Sequence, residues 1–148
     1  MEIVRHHLHG EPAPAAKRIP VPANREMLAK RRWRGVAEDG AEFGFDLDHL
    51  LADGDGVFAT STAHYFIEQT PEPVIEIPLG DNPAAAAQLG WKIGNLHFSI
   101  EVTSSTLRVA DDSAIRQMLE REEIDFAATT AVFRPLHSAP HSHGHSHD

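Results

Sequence analysis

The 148-residue chain contains no cysteine. Disulfides, thiolate zinc sites and iron–sulfur clusters are therefore excluded, and any metal must be held by histidine and oxygen ligands. Positive charge is also scarce: 13 Lys and Arg stand against 22 Asp and Glu, a formal charge of −9, the wrong sign for general nucleic-acid binding. Seven of the thirteen basic residues crowd together as Lys17, Arg18, Arg25, Lys30, Arg31, Arg32 and Arg34. They read as the solvated face of an edge strand, where charge blocks unwanted pairing, with a docking surface for an acidic partner as the other reading. No apolar run follows Met1-Glu2-Ile3-Val4-Arg5 and none approaches a membrane span, so the cytoplasm is the expected compartment. Gly-x-Ser-x-Gly, phosphate-loop and His-Glu-x-x-His patterns are all missing, and an enzyme is not expected.

What the chain has is histidine. His137, His141, His143, His145 and His147 make up five of the last twelve residues, spaced by Ser, Gly, Ala and Pro. Such spacers pack no core and leave imidazoles free to wrap around an ion. Imidazole is the commonest protein ligand for Zn, Ni and Cu and is largely neutral at cytoplasmic pH. The alternation also separates this stretch from the uninterrupted run of an affinity tag. His6, His7 and His9 form a second, smaller group, read as part of a solvated arm. The acidic run from Asp46 to Gly56 lacks the register of a calcium loop and is not read as one.

Residues 1–26 hold Pro12, Pro14, Pro20 and Pro22 and read as an extended arm. Over 27–70 the pattern is β: strands over 28–37, 42–47, 57–60 and 64–68 are separated by the turns Glu38-Asp39-Gly40 and Asp53-Gly54-Asp55-Gly56. This predicts a small antiparallel barrel or sandwich, with His49 and His64 on its surface. Pro71-Glu72-Pro73 marks a boundary. Beyond it come a strand over 74–77, a helix over 84–89 capped by Asn82-Pro83 and ended or broken at Gly90, and strands over 97–102 and 106–110. A helix opened by Asp111-Asp112 and a strand over 126–133 complete the order. The order βαββαβ over 71–136 is that of a ferredoxin-like sheet with helices on one face. The expected fold class is thus α+β: a small antiparallel β domain, a ferredoxin-like domain and a disordered histidine-rich tail over 137–148.

The most specific local pattern is Gly90-Trp91-Lys92-Ile93-Gly94-Asn95-Leu96-His97. With Asp53-Gly54-Asp55, Pro71-Glu72-Pro73-Val74, Asp111-Asp112, Met118-Leu119-Glu120 and the terminal histidines, it resembles the UreE family of urease accessory proteins, in order, over about residues 27–148. The resemblance implies a nickel metallochaperone with a partner- or peptide-binding domain over 27–70. Residues 71–136 would then bind metal and form a head-to-head homodimer. His97 would face its symmetry mate near the two-fold axis, and the tail histidines His137, His141, His143, His145 and His147 would complete the Ni²⁺ sphere, with Zn²⁺ or Cu²⁺ as competitors. The implied partners are the urease accessory GTPase and the urease apoprotein complex. Leu96 departs from the basic residue usual before the histidine, Ser99 from a common proline, and Leu107-Arg108-Val109 carries no histidine. A passive Ni or Zn store using the tail is the alternative function. An RNA-binding role is disfavoured because 74–77 and 107–110 offer no aromatic ring on which a base could stack.

Overall fold

The computed structural model describes residues 1–136 and divides into two compact units, Met1–Pro71 and the part from Glu72 onward. The first unit holds two three-stranded sheets. One has β1 (Glu2–Val4), β4 (Glu42–Asp46) and β3 (Arg32–Val36) in the order β1-β4-β3. The other has β2 (Lys17–Ala23), β6 (Ala63–Gln69) and β5 (Gly56–Ala59) in the order β2-β6-β5. A one-turn helix, α1 (Arg25–Leu28), is capped by Asn24, whose side chain accepts from the Met27 N–H. Residues 28–31 are therefore not strand, and β3 begins only at Arg32.

Two expectations fail here. The segment 1–26 is not an arm, and the domain is not purely antiparallel. β1 pairs parallel with β4, and β2 pairs parallel with β6 from Lys17↔Ala63 to Ala23↔Gln69. The reason lies in which way the prolines face. Pro20 and Pro22 are two residues apart, so both turn the same edge of the strand outward. The Pro20 carbonyl, on that edge, accepts from the Glu38 N–H at 3.0 Å. The missing N–H groups thus face away from β6 and cost the ladder nothing, as suits an edge strand. Meanwhile Ile19, Val21 and Ala23 alternate into the core beside Phe43, Phe45 and Ile67. An apolar face of this kind outweighs the extended-loop preference of a proline-rich segment.

The second unit is built from β7 (Glu72–Pro78), α2 (Pro83–Asn95), β8 (Glu101–Val102), β9 (Thr106–Ala110), α3 (Ser113–Arg121) and β10 (Ala127–Ala131). Its antiparallel sheet runs β10-β7-β9-β8, the strand order of a ferredoxin-like domain. Ile75, Ile77, Leu107 and Val109 share a core with Leu89 and Ile93 of α2 and Ile115 and Leu119 of α3. Across the strands, Arg108 Nη2 donates to Glu76 at 2.7 Å and Nη1 to Glu101 at 3.1 Å. These charge-assisted bonds, that to Glu76 foremost, push the guanidinium pKa still higher. The segment after β10 buries Phe133, and the Leu136 N–H donates to the Ile100 carbonyl at 2.7 Å.

Candidate metal-binding site

α2 starts where Asn82 accepts from the N–H groups of Ala84 and Ala85, with Pro83 in the first turn. It continues through Gly90, with no break there. A Cβ at Gly90 would lie 3.9 Å from Leu107 Cδ1, and one at Gly94 would meet nothing within 4 Å. The helix ends with the His97 N–H donating to Gly94 O at 3.0 Å and the Phe98 N–H reaching back to Ile93 O at 3.4 Å. This is a Schellman motif, and it requires its central residue to be left-handed. That residue is His97, at φ 66°. The sequence expectation that His97 opens a strand is therefore wrong. Ile93 is fully buried and Phe98 packs on the same core, so the two apolar anchors fold the chain around His97 and leave its imidazole exposed. The next strand, β8, starts only at Glu101.

α3 ends the same way. Glu123 lies at φ 55°, its N–H donates to Glu120 O, and the Ile124 N–H donates to Leu119 O at 2.9 Å. Lys92 bridges to Glu122 at 3.0 Å, tying the two helix ends together. Among the described residues His97 and Glu123 are the non-glycine residues with positive φ. Helix geometry explains the conformation. It does not explain why histidine, rather than glycine, occupies the first of these positions, since a side chain there costs about 1–2 kcal/mol.

Two large apolar side chains of α2 and its cap are exposed, Trp91 at 67% and Leu96 at 50%. The sequence offered a sign of this, since Gly90 and Gly94 bracket Trp91 at helical spacing. His137, His141, His143, His145 and His147 lie outside the described residues. Among the described residues no three His, Asp or Glu side chains come together to hold a metal ion. His97 in one chain is thus a single exposed imidazole. His49 is exposed, whereas His64, expected on the surface, is 7% exposed.

Comparison with known proteins defines the class first. Residues 72–148 match the model of the UreE urease accessory protein, C-terminal domain, so this is an accessory chaperone rather than an enzyme. A urease accessory protein UreE from Chelativorans sp. (strain BNC1) is 35% identical over 123 residues, covering 80% of this chain and 77% of that one. Its counterpart from Brucella anthropi is 33% identical over 135 residues, covering 86% and 78%. That from Rhizobium meliloti (strain 1021) is 33% identical over 96 residues, covering 65% of this chain and 62% of the relative. The chain belongs to the UreE family of urease accessory proteins. No helix among the described residues is long and apolar enough to cross a membrane.

Proposed function

We propose that this protein captures Ni²⁺ and hands it over for assembly of the urease metallocentre. The observation that carries the reading is His97: an exposed imidazole on the left-handed residue that ends α2, a helix that also exposes Trp91 and, at its cap, Leu96. One imidazole is a poor site for a divalent ion. Two related by symmetry, joined by tail histidines, make an adequate one, and nitrogen ligands suit Ni²⁺. The exposed apolar residues and the open space over Gly94 supply what a second copy needs to pack head to head and bring the His97 pair together. In this reading residues 72–136 form the ferredoxin-like dimerisation and metal-binding domain, and the first unit serves partner recognition. The partners are the urease accessory GTPase and the urease apoprotein complex, and the handover takes place in the cytoplasm. Zn²⁺ and Cu²⁺ compete for the same imidazoles. Several imidazoles along one chain allow stepwise exchange, so the ion is never stripped bare. Acid releases it, because a protonated imidazole cannot coordinate.

Calorimetric Ni²⁺ titration with parallel mass determination tests this on the intact chain, a chain ending at Leu136, and His97→Ala. The expected result is one tight Ni²⁺ per dimer, retained on truncation and lost in His97→Ala. If truncation abolishes binding while His97→Ala changes nothing, the protein is a passive metal store in its tail.

A further inference from the structure

Alternation sorts the side chains of the first sheet onto two faces. Phe43 and Phe45 of β4, Trp33 of β3 and Val4 of β1 turn inward to the core. The residues between them turn outward, and strand pairing sets them in rows. Ile3 of β1 and Arg34 of β3 both lie opposite Gly44, and Val36 lies opposite Glu42. The basic cluster of the sequence arrives on this outer face, where β3 contributes Arg32 and Arg34.

The face is more than solvated charge. Met1 is 65%, Ile3 54% and Val36 55% exposed, three of the four large apolar side chains left uncovered in the first unit. Gly44 gathers the first two. A Cβ there would stand 2.9 Å from Ile3 Cδ1 and 3.3 Å from Met1 Cε, so the bare backbone lets both side chains lie across the strand. An uncovered apolar patch rimmed by charge marks a protein-binding surface.

The charge beside the patch is lopsided. One carboxylate, Asp46, accepts from Arg5 Nη1 at 3.3 Å and from Arg32 Nε at 3.0 Å. Arg34 is exposed and has no acidic partner among the described residues. Arg5, Arg32 and Arg34 thus stand against Asp46 and Glu42, a local positive excess in a chain of net charge −9. That sign selects the occupant. A second copy would set two positive excesses against each other, whereas carboxylates would complement Arg34 and the unused donors of Arg5 and Arg32.

On the reading above, in which the first unit serves partner recognition, we infer that this outer face docks a partner segment interleaving apolar and acidic side chains. Its apolar groups pack on Met1, Ile3 and Val36, and a carboxylate pairs with Arg34. Arginine beside apolar anchors is the composition of an interface hot spot.

The probe is a fluorescein-labelled peptide of alternating Glu and Leu, titrated into the metal-free full-length chain and followed by anisotropy. Saturable binding that weakens with added salt is expected, and a Lys–Leu peptide should bind at least tenfold more weakly. Arg34→Glu and Ile3→Ser should each weaken binding at least fivefold. Arg121→Ala and Val102→Ser, the same chemistry on exposed residues of the second unit, should leave it unchanged. Ile3 and Arg34 are exposed, so neither replacement removes a core contact; circular dichroism and thermal unfolding verify that each variant is folded. Absent binding, or equal binding of the Lys–Leu peptide, overturns the acidic partner. Binding unaltered by both Arg34→Glu and Ile3→Ser overturns this face while leaving partner recognition elsewhere on the unit standing. A parent mass that falls from dimer to monomer in Ile3→Ser gives the face to a second copy, and overturns the proposal as well. His97 is unchanged throughout, so the nickel reading is tested separately.

Discussion

At the scale of single residues, the role proposed for His97 sets function against stability. The left-handed end of α2 is a glycine position by backbone preference, and a histidine there carries a conformational cost. Replacing His97 with glycine should therefore stabilise the fold by about 1 kcal/mol, while alanine, which keeps the Cβ, should not. Urea midpoints of the two variants, compared with the parent under metal-free conditions, measure this. A His97→Gly chain no more stable than His97→Ala would remove the argument that the imidazole is retained at a cost. The motif around this residue was legible in the sequence, but its conformation was not. Phe98 and Ile100 alternate as a strand would, and only the burial of Phe98 against Ile93 reveals that the chain is closing a helix. His64 was misjudged for a similar reason. Polarity argues for the surface, whereas its register opposite Ala59 and the bare backbone of Gly56 place it inside.

Among the elements, one hydrogen bond ties the β3–β4 turn to β6 of the other sheet. Tyr65 Oη donates to Asp39 Oδ2 at 2.7 Å, and Asp39 Oδ1 accepts from the Ala41 N–H at 3.0 Å. The phenol first, then the backbone, hold the Asp39 carboxyl below its ordinary 3.8, and the same bond holds the phenol above its ordinary 10.0. A lowered carboxylate pKa lends stability that is complete above the ordinary value and is lost as pH falls through the lowered one. A raised phenol pKa lends stability that is complete below 10.0 and is lost as pH rises through the raised one. Tyr65→Phe should consequently be less stable than the parent near pH 7, with the gap closing in acid below the Asp39 value and in strong base. Urea unfolding at about pH 3, 7 and 11 checks it, and a gap constant across that range would show that the charges contribute nothing. Elements with clean alternation were readable in advance: β9 falls over Thr106–Ala110 as its pattern implies, and α3 follows its Asp112 cap. β2 was not, because two prolines mask an apolar alternation that only an edge position permits.

Taken as a whole, the molecule is two units with separate cores, and its N-terminal residues are structural. Deleting residues 1–26 would leave an arm-bearing domain intact, but here it strips one strand from each sheet of the first unit together with Ile19, Val21 and Ala23 of its core. The shortened chain should lose the cooperative unfolding of that unit while residues 72–136 keep theirs, as amide exchange would show. Protected amides persisting in β3 to β6 would contradict this. The family was recognisable from short motifs in a fixed order, each read within a few neighbouring residues: Asp53–Asp55 on a turn, Asp112 at the cap of α3, Gly90–His97 along α2 and its end. The parallel pairing was not, because it joins residues far apart in the chain, which no local pattern encodes. That distance has a temporal consequence. Glu2 waits for Phe43 and Lys17 for Ala63, so on a ribosome adding about 5–20 residues per second the first two strands remain without partners for roughly 2–9 s. Both strands are thus made well before their partners, and for that interval their apolar face is open to whatever else is nascent nearby.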